Sequence, residues 1–450
     1  MLFRDLTHQT KFEKISPVVR HIAYDILTPI LAYTNLGGVN SVLMESAYDE
    51  GYGQYSFIGI NPLATFRAVG QDITIDYDNH REQHLADPYI LLAEFSQGRK
   101  VFGFISYDGV RLKEQIPDRH PPKDIPDFFF RLYKTVICFD HQQQQLSISH
   151  EGSQEDLDLI EQKLFTNLYL APVATDIKCE FTPDISDEEF ATKVRQAQHY
   201  IRQGDIFQVV LSRTFSAQVN NLSPFALYRA LRRLNPTPYL YLFEEDDFAI
   251  AGASPELLVG VKNGVIETVP IAGTCKKGDD INQLLADPKE TSEHIMLVDL
   301  ARNDIGAVAQ IGSVQVPKFK HIKTYSHLSH IVSQVIGKLA PEYNQFSALK
   351  SVLPAGTLSG APKIRAMEII DELENSRRGL YGGAVVCLDE DGNMTSAIAL
   401  RTLFIQNKRI ELRTGAGIVY DSIPEKEVAE TYLKALGSIA SIELALAGKL

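Results

Sequence analysis

Near its C-terminus the chain has the sequence Thr414-Gly-Ala-Gly-Ile-Val-Tyr-Asp-Ser-Ile-Pro-Glu-Lys-Glu-Val-Ala-Glu-Thr-Tyr-Leu-Lys434. This stretch predicts a strand, a tight glycine turn and a helix with a proline in its first turn. Glu427 and Glu430 are three residues apart and share a helical face, and Lys434 follows Glu430 by four residues. Two carboxylates and a lysine beside a bare glycine backbone indicate a site for a metal and an anion. The alternative is an exposed helix with an ordinary Glu–Lys pair.

A second stretch, Lys289 to Asp304, repeats the same arrangement of carboxylates. Glu290 and Glu293 are again three residues apart, on a predicted helix with Pro288 in its first turn. Mg²⁺ takes one or two carboxylates directly, keeps several waters and leaves positions for substrate oxygens. Two Glu-x-x-Glu helices in one chain therefore predict a site for Mg²⁺.

The overall composition is that of a folded, acidic protein. The chain has 450 residues, of which 44% are hydrophobic and 22% charged, with a formal net charge of −13. A basic face is the expected footprint of nucleic-acid binding, so nucleic acid is not the predicted partner. Four scattered cysteines show no Cys-x-x-Cys spacing, which argues against a zinc site or a disulfide framework. We find neither a signal-peptide core nor an apolar run long enough for a membrane span, so no membrane association and a cytoplasmic location are expected.

The order of predicted elements divides the chain into two parts. Residues from about 20 to 150 are mostly short strands, which predicts an antiparallel sheet over residues 1–175. A helix that begins at the Ser186 cap and ends at Gly204 opens the second part, residues 186–450. It leads into a buried strand that contains Gln208. A glutamine inside an apolar strand either faces a cavity or is a core residue with a hydrogen-bond partner.

Further polar residues are predicted to lie at strand ends, at a helix N-terminus or inside strands, where a polar side chain needs a hydrogen-bond partner or a ligand. Glu256 puts a carboxylate at a strand end bounded by proline, and Thr357 precedes a helix N-terminus that suits an anion. His327 and His330 are three apart on a predicted strand, so at most one faces a shared site. Arg401 is predicted to lie in the middle of a strand, where a buried guanidinium needs a carboxylate from protein or ligand.

Five motifs together resemble the family of chorismate-utilising enzymes. In chain order they are Gly204 to Arg213, Pro270 to Thr274, Lys289 to Gly306, Pro354 to Lys363 and Gly415 to Lys434. The resemblance implies an α+β fold, a layered sandwich of two large antiparallel sheets flanked by helices. It also implies a Mg²⁺-dependent reaction in which chorismate and ammonia give anthranilate and pyruvate, the first step of tryptophan biosynthesis.

The resemblance also implies roles for individual residues. Glu293 and Glu430 correspond to direct Mg²⁺ ligands, and Glu290 and Glu427 to carboxylates that hold its waters. The residues expected to contact chorismate are Gly273, Thr274, Tyr381, Arg401, Gly415, Ala416, Gly417 and Lys434. The catalytic set is Glu256, the acid that protonates the departing hydroxyl, His330 in the elimination step, Gln208 and Thr357.

Two positions discriminate between branches of this family. Relatives that add water carry a lysine where this chain has Gln208, and a glutamine cannot deprotonate water. Aminodeoxychorismate synthases typically have a lysine where this chain has Ala272. Both residues favour the anthranilate-forming branch, with an aminodeoxychorismate synthase component of folate biosynthesis as the alternative. Two less favoured interpretations are a non-catalytic tryptophan sensor and a carboxylate-bridged di-iron protein, which would need a helical bundle.

Regulation and a partner subunit are also implied by the resemblance. Leu43 to Ser46 and Asn235 to Tyr239 are similar to the two halves of the family's tryptophan site. Feedback inhibition by L-tryptophan is therefore expected at Ser46, Pro238, Tyr239 and Leu240. No cysteine has the Gly-x-Cys-x-Gly setting of a glutaminase, so the ammonia is expected from a separate glutamine amidotransferase subunit.

Overall fold

The computed structural model describes residues 16–23, 27–46, 55–166, 179–276, 281–324 and 328–448. Within these ranges the α-helices are α1 (Pro29–Leu36), α2 (Pro88–Phe95), α3 (Gln154–Leu164), α4 (Asp187–Gln203), α5 (Pro224–Leu234), α6 (Ile281–Ala286), α7 (Pro288–Gly306), α8 (Gln345–Val352), α9 (Lys363–Leu373) and α10 (Pro424–Leu446). Two short 3-10 helices span Tyr107–Leu112 and Gly356–Leu358. In the described part of the chain, no helix combines the length and apolar composition that crossing a bilayer requires.

The strands of the first part are β1 (Val18–Ala23), β2 (Ser41–Ser46), β3 (Tyr55–Val69), β4 (Asp72–Tyr77), β5 (Arg81–Leu85), β6 (Val101–Ile105), β7 (Phe128–Asp140) and β8 (Gln145–His150). Those that follow are β9 (Thr182–Pro183), β10 (Gln208–Gln218), β11 (Tyr239–Glu244), β12 (Ala249–Ser254), β13 (Leu257–Lys262), β14 (Val265–Thr268), β15 (Ile271–Lys276), β16 (Gln315–Thr324) and β17 (Leu328–Lys338). The last are β18 (Gly360–Ala361), β19 (Ala384–Leu388), β20 (Met394–Ile398), β21 (Thr402–Gln406) and β22 (Arg409–Ile418).

These strands form two antiparallel branches that share the long strands β3 and β7. One branch runs in the order β1, β8, β7, β3, β2, β11, β12, β21, β22 and β10. The other leaves β7 through β6 and continues through β19, β20, β13 and β14 to β17, which also pairs with β15 and β16. Helices flank both branches, so the predicted α+β class with two antiparallel sheets is confirmed.

The branch point lies in the middle of β7. Leu132 is the last residue of β7 that pairs with β6, and Thr135 is the first that pairs with β8. Opposite this switch, the register between β3 and β7 shifts between Pro62 and Ala64. Such a bulge bends its strand and increases the local twist.

Apolar side chains on both faces explain why the shared strands lie inside the molecule. Consecutive phenylalanines Phe128, Phe129 and Phe130 are all fully buried. Because successive side chains of a strand point to opposite faces, both faces of β7 must be covered. The two faces belong to different core clusters, one around Phe128 and Phe130 and one around Phe129.

Helix α4 positions the strand that carries Gln208. The Ser186 hydroxyl accepts a hydrogen bond from the Glu189 backbone, and Gly204 ends the helix in a left-handed conformation with φ of 84°. The apolar face of α4 packs with one face of β10 and β22 in a cluster that includes Phe190, Val209 and Ala416. The opposite face of these two strands is therefore left for polar side chains.

The predicted division at residues 1–175 and 186–450 stays a prediction, and part of the link between them lies outside the described residues. Strands from the two parts pair directly, since β2 pairs with β11 and β6 pairs with β19.

Candidate active site

Gln208 lies at the start of β10 with its side chain beside a glutamate of α7. It is 4% exposed, and its Nε2 donates a hydrogen bond to Oε1 of Glu293 at 3.1 Å. In the neighbouring strand, Gly417 pairs with Val210, and a Cβ at Gly417 would come within 3.0 Å of the Gln208 Nε2. The glycine leaves room for the amide that links β10 to α7.

The other glutamate of α7 lies against the turn that contains Gly273. This glycine has a φ of 71°, and a Cβ there would come within 3.0 Å of Oε2 of Glu290. The Gly273 carbonyl oxygen lies 3.2 Å from Nδ1 of His330. Glu290, Gly273 and His330 are thus brought together, whereas His327 and the side chain of Thr274 lie outside the described part of the structure.

Helix α10 brings Glu430 to the Gly415 end of the segment Gly415–Gly417. The Lys434 ammonium donates to the Gly415 carbonyl at 2.8 Å and pairs with Oε1 of Glu430 at 2.7 Å. A Cβ at Gly415 would lie 2.8 Å from the Tyr381 hydroxyl, whose pKa burial raises to about 12. The two Glu-x-x-Glu helices therefore approach Gly415–Gly417 from opposite ends.

Ala416 has a different place from its two glycine neighbours. Its side chain is fully buried in the cluster with α4 and α9, on the other face of the strand. Only its backbone can contribute to a site at Gly415 and Gly417, because successive residues of a strand point to opposite faces.

Glu256 is a buried carboxyl group that, within the described part of the chain, accepts hydrogen bonds from one hydroxyl group. The Thr357 hydroxyl donates to its two oxygens at 3.2 and 3.4 Å. Burial raises the pKa of Glu256 to about 8, although the hydrogen bond from Thr357 opposes this shift. Glu256 is therefore protonated at neutral pH and can act as a general acid.

The sequence-based placement of Arg401 in the middle of a strand is wrong. Arg401 lies between β20 and β21 with a φ of 46°, and its carbonyl oxygen accepts a hydrogen bond from the Ala253 backbone at 3.3 Å. Burial lowers the pKa of its guanidinium. Burial, together with the charge of Arg401, also lowers the pKa of His330, which is therefore neutral at pH 7.

The expected metal ligands do not form a compact cluster. Across the described ranges, no three His, Cys, Asp or Glu side chains are grouped closely enough to hold a metal ion. The donor set is nevertheless of the kind that Mg²⁺ takes, since it binds through one or two carboxylates and keeps several waters. Carboxylates from two helices at the ends of one strand segment therefore fit Mg²⁺ by their chemistry.

A separate cavity lies where β2 and β11 pair. Ser46 is opposite Tyr239, and its hydroxyl donates to the Pro238 carbonyl at 3.1 Å. The walls of the cavity are mainly apolar and aromatic with a few polar groups, which is the composition that small-molecule sites have. Its lining residues are Met44, Glu45, Ser46, Tyr55, Phe57, Tyr239, Leu240, Tyr241, Val385, Cys387, Thr395 and Ala397. Ser46, Tyr239 and Leu240 thus line one cavity, and Pro238 borders it through its carbonyl group.

Sequence reasoning missed the charged network beneath the glycine segment. Glu374 is buried and pairs with Arg378 and Arg413, each at 2.7 Å. Its Oε1 also accepts hydrogen bonds from the backbone and hydroxyl of Ser212, the residue that pairs with Gly415. The signal was the presence of arginines in buried strands and turns, which need a carboxylate partner.

An antiparallel two-branch sheet that brings two Glu-x-x-Glu helices to a glycine segment near a buried acid defines an enzyme of the chorismate-binding class. The chain belongs to this family, because the family model described as chorismate binding enzyme matches residues 41–439. It is similar to the anthranilate synthase component 1 of Lactococcus lactis, with 38% identity over 93% of this chain and 98% of that protein. Its counterpart in Thermus thermophilus is 39% identical over 97% of this chain and all of that protein.

Solved structures show the same fold. Anthranilate synthase component I from Streptococcus pneumoniae superposes with a TM-score of 0.79 at 38% identity, over 93% of this chain and 98% of that one. The menaquinone-specific isochorismate synthase of Escherichia coli superposes with a TM-score of 0.71 at 18% identity, over 95% of each chain. The second likeness concerns the fold alone.

Proposed function

We propose that this chain is the synthase component of an anthranilate synthase, which converts chorismate and ammonia to anthranilate and pyruvate. The observation that carries the proposal is the position of Gln208, buried beside Glu293 and Gly417. An amide has no basic group at neutral pH, so it cannot activate water as a lysine at this position would. A nucleophile that needs no deprotonation, such as ammonia, is required.

The acid and the base of the reaction are supported by their environments. Ammonia forms a bond to ring carbon 2 while the bond from carbon 4 to its hydroxyl breaks. Glu256, protonated at neutral pH, gives its proton to that hydroxyl, which leaves as water. In the second step His330, neutral at pH 7, accepts the proton of ring carbon 2 as the bond from carbon 3 to the enolpyruvyl oxygen breaks and the ring becomes aromatic. The departing enolate takes up a proton and becomes pyruvate.

Arg401, Lys434, Tyr381 and the glycine segment are proposed to bind the substrate. Arg401 is partly buried, and no carboxylate lies within ion-pair distance of it in the described part of the chain, so its guanidinium suits a substrate carboxylate. The glycine segment Gly415–Gly417 lets the ring approach the backbone, and Lys434 adds positive charge at its end. Tyr381 borders the same segment.

We also propose that the enzyme uses Mg²⁺. Glu293 and Glu430 would bind it directly, and Glu290 and Glu427 would hold its waters. When bound, the metal neutralises a substrate carboxylate and orients the ring. Glu293 accepts a hydrogen bond from the amide of Gln208, and Glu430 pairs with the ammonium of Lys434.

Feedback inhibition by L-tryptophan is proposed at the cavity between β2 and β11. Apolar and aromatic walls with a few polar groups at one end, including Ser46, suit an aromatic amino acid. The ammonia donor is proposed to be a separate glutamine amidotransferase subunit. The cytoplasmic location and the division into a regulatory part, 1–175, and a catalytic part, 186–450, remain predictions.

Product identification tests the reaction. The purified chain is mixed with chorismate, Mg²⁺ and excess ammonium at mildly alkaline pH, and the products are separated by chromatography. Anthranilate and pyruvate in equal amounts, lost on adding a chelator, would support the proposal. Aminodeoxychorismate without pyruvate would move the chain to the folate branch and overturn it.

A further inference from the structure

The proposed acid Glu256 must recover its proton in every cycle. When it has protonated the departing hydroxyl it is a carboxylate, and it must be protonated again before the next turnover. Thr357 donates a hydrogen bond to Glu256, and a hydroxyl that gives up its proton must itself receive another. A source of protons on the protein side of Glu256 is therefore needed.

A cavity behind Glu256 supplies the space for such a source. About 30 Å³ of it is open to the centre of a water-sized sphere, and roughly 10–15 Å³ on this measure is enough to hold one water molecule. Most of its wall is apolar, from β13, α7 and α8, but Glu256, Thr268, Asp304 and Thr357 also line it. Water in a protein needs two to four polar partners, and these four side chains can supply them.

Asp304 joins this cavity to a buried lysine. Lys363, at the start of α9, donates to Oδ2 of Asp304 at 2.6 Å and to the Val352 carbonyl at 3.0 Å. Both side chains of the pair are at most 13% exposed. Burial raises the pKa of Asp304 and lowers that of Lys363, so a proton can pass between them at a lower cost than between exposed groups.

The pair reaches the surface through one further lysine. The positive charge of Lys113 is close enough to lower the pKa of both Asp304 and Lys363. Its ammonium donates to the Ser351 carbonyl at 3.1 Å and pairs with Glu114 at 3.4 Å, and both side chains are about a quarter exposed. Charged groups thus extend from the cavity wall to solvent.

We propose that Asp304 and Lys363 return a proton to Glu256 after each turnover, through water held in the cavity that Glu256 and Asp304 line. The Lys363 ammonium gives a proton to the Asp304 carboxylate, Asp304 passes it through the cavity water to the Glu256 carboxylate, and solvent near Lys113 then protonates the neutral Lys363 amine. One proton enters from solvent for each one that leaves with the departing hydroxyl. The inference rests on the proposed function, because it assigns the resupply of the same acid.

The first turnover separates this role from a structural one. In Asp304→Asn the acid begins protonated, so the first turnover keeps the wild-type rate and later turnovers slow by about tenfold or more. Stopped-flow fluorescence of anthranilate then shows a burst of one product per site, which the wild-type trace lacks. Asp299→Asn is the matched control, since Asp299 lies on the same helix in an exposed pair with Arg302. This variant gives the wild-type trace.

Two further measurements complete the test. Raising the concentration of a small buffer acid at constant ionic strength speeds the slow phase of Asp304→Asn, because the buffer replaces the lost donor. Ala301→Leu fills the cavity and leaves Glu256 and Asp304 unchanged, so it should produce the same burst. This variant tests the inference even if Asp304→Asn does not fold.

Three results would overturn the inference. They are an unchanged steady state in Asp304→Asn, a first turnover slowed as much as the later ones, or a wild-type trace from Ala301→Leu. A wild-type enzyme that makes no anthranilate at all would instead refute the proposed function.

Discussion

Replacing Glu256 by glutamine should stabilise the protein at alkaline pH while it abolishes the reaction. The pKa of Glu256 is raised from 4.5 to about 8, a shift of about 3.5 units. The native state therefore binds a proton that the unfolded chain loses, and its stability falls as the pH rises from the unfolded pKa through the folded one. At about 1.4 kcal/mol per pH unit, the loss of wild-type stability at alkaline pH has an upper bound of roughly 5 kcal/mol. Relaxation of the protein around the charge reduces this loss to about 2 to 4 kcal/mol.

The measurement is urea denaturation of wild type and Glu256→Gln at pH 5 and pH 9. At pH 5, only half a pH unit above the unfolded pKa, ionisation of Glu256 in the unfolded chain destabilises wild type relative to the variant by under about 1 kcal/mol. At pH 9 the variant should be the more stable by the amount given above. Glu342→Gln, at an exposed glutamate, is the control and should show no such trend. Equal stabilities at pH 9 would mean that Glu256 ionises freely and that its burial does not favour the acid form.

The remaining predictions concern the other parts of the site. Thr357→Val removes a hydrogen bond of about 1 kcal/mol that favours the carboxylate form of Glu256. The alkaline limb of the pH profile of kcat should therefore shift to higher pH by about half to one pH unit. Thr357→Ser keeps the hydroxyl and should leave this limb in place. Ser46→Ala should raise the tryptophan concentration for half inhibition by about tenfold, as read from initial rates, and unchanged sensitivity would count against the pocket. Glu290→Gln should weaken Mg²⁺ binding, measured by calorimetry, by roughly 10- to 100-fold. Glu293→Gln should weaken it more, because Glu293 is proposed as a direct ligand and Glu290 is not. The reverse order of the two effects would contradict the assignment.

Local patterns in the sequence were sufficient to predict the helices that carry the carboxylates. The spacing of Glu290 and Glu293, and of Glu427 and Glu430, depends only on helical geometry, and the structure has helices α7 and α10 there. The contact between Gln208 and Glu293 joins residues 85 positions apart, so it follows from sheet topology that no local pattern contains.

Backbone conformation and burial explain what the sequence could not show. Arg401 stands among strand-forming neighbours, but its positive φ breaks the strand, and such strain depends on the surrounding structure. Asp304 and Glu374 look like ordinary surface acids on helices. Their roles appear only when Lys363 and Arg378 are placed beside them in the interior.

The register shift between Pro62 and Ala64 has a consequence for how the molecule can move. The two branches share β3 and β7, so a change in the angle between them cannot open a gap, and it must bend these strands. A bulge is the segment of a ladder with the fewest hydrogen bonds to resist bending, and this one lies where β7 changes partner between Leu132 and Thr135. Rotation of one branch against the other is therefore concentrated at this bulge. The strand pairing on either side of the bulge remains intact.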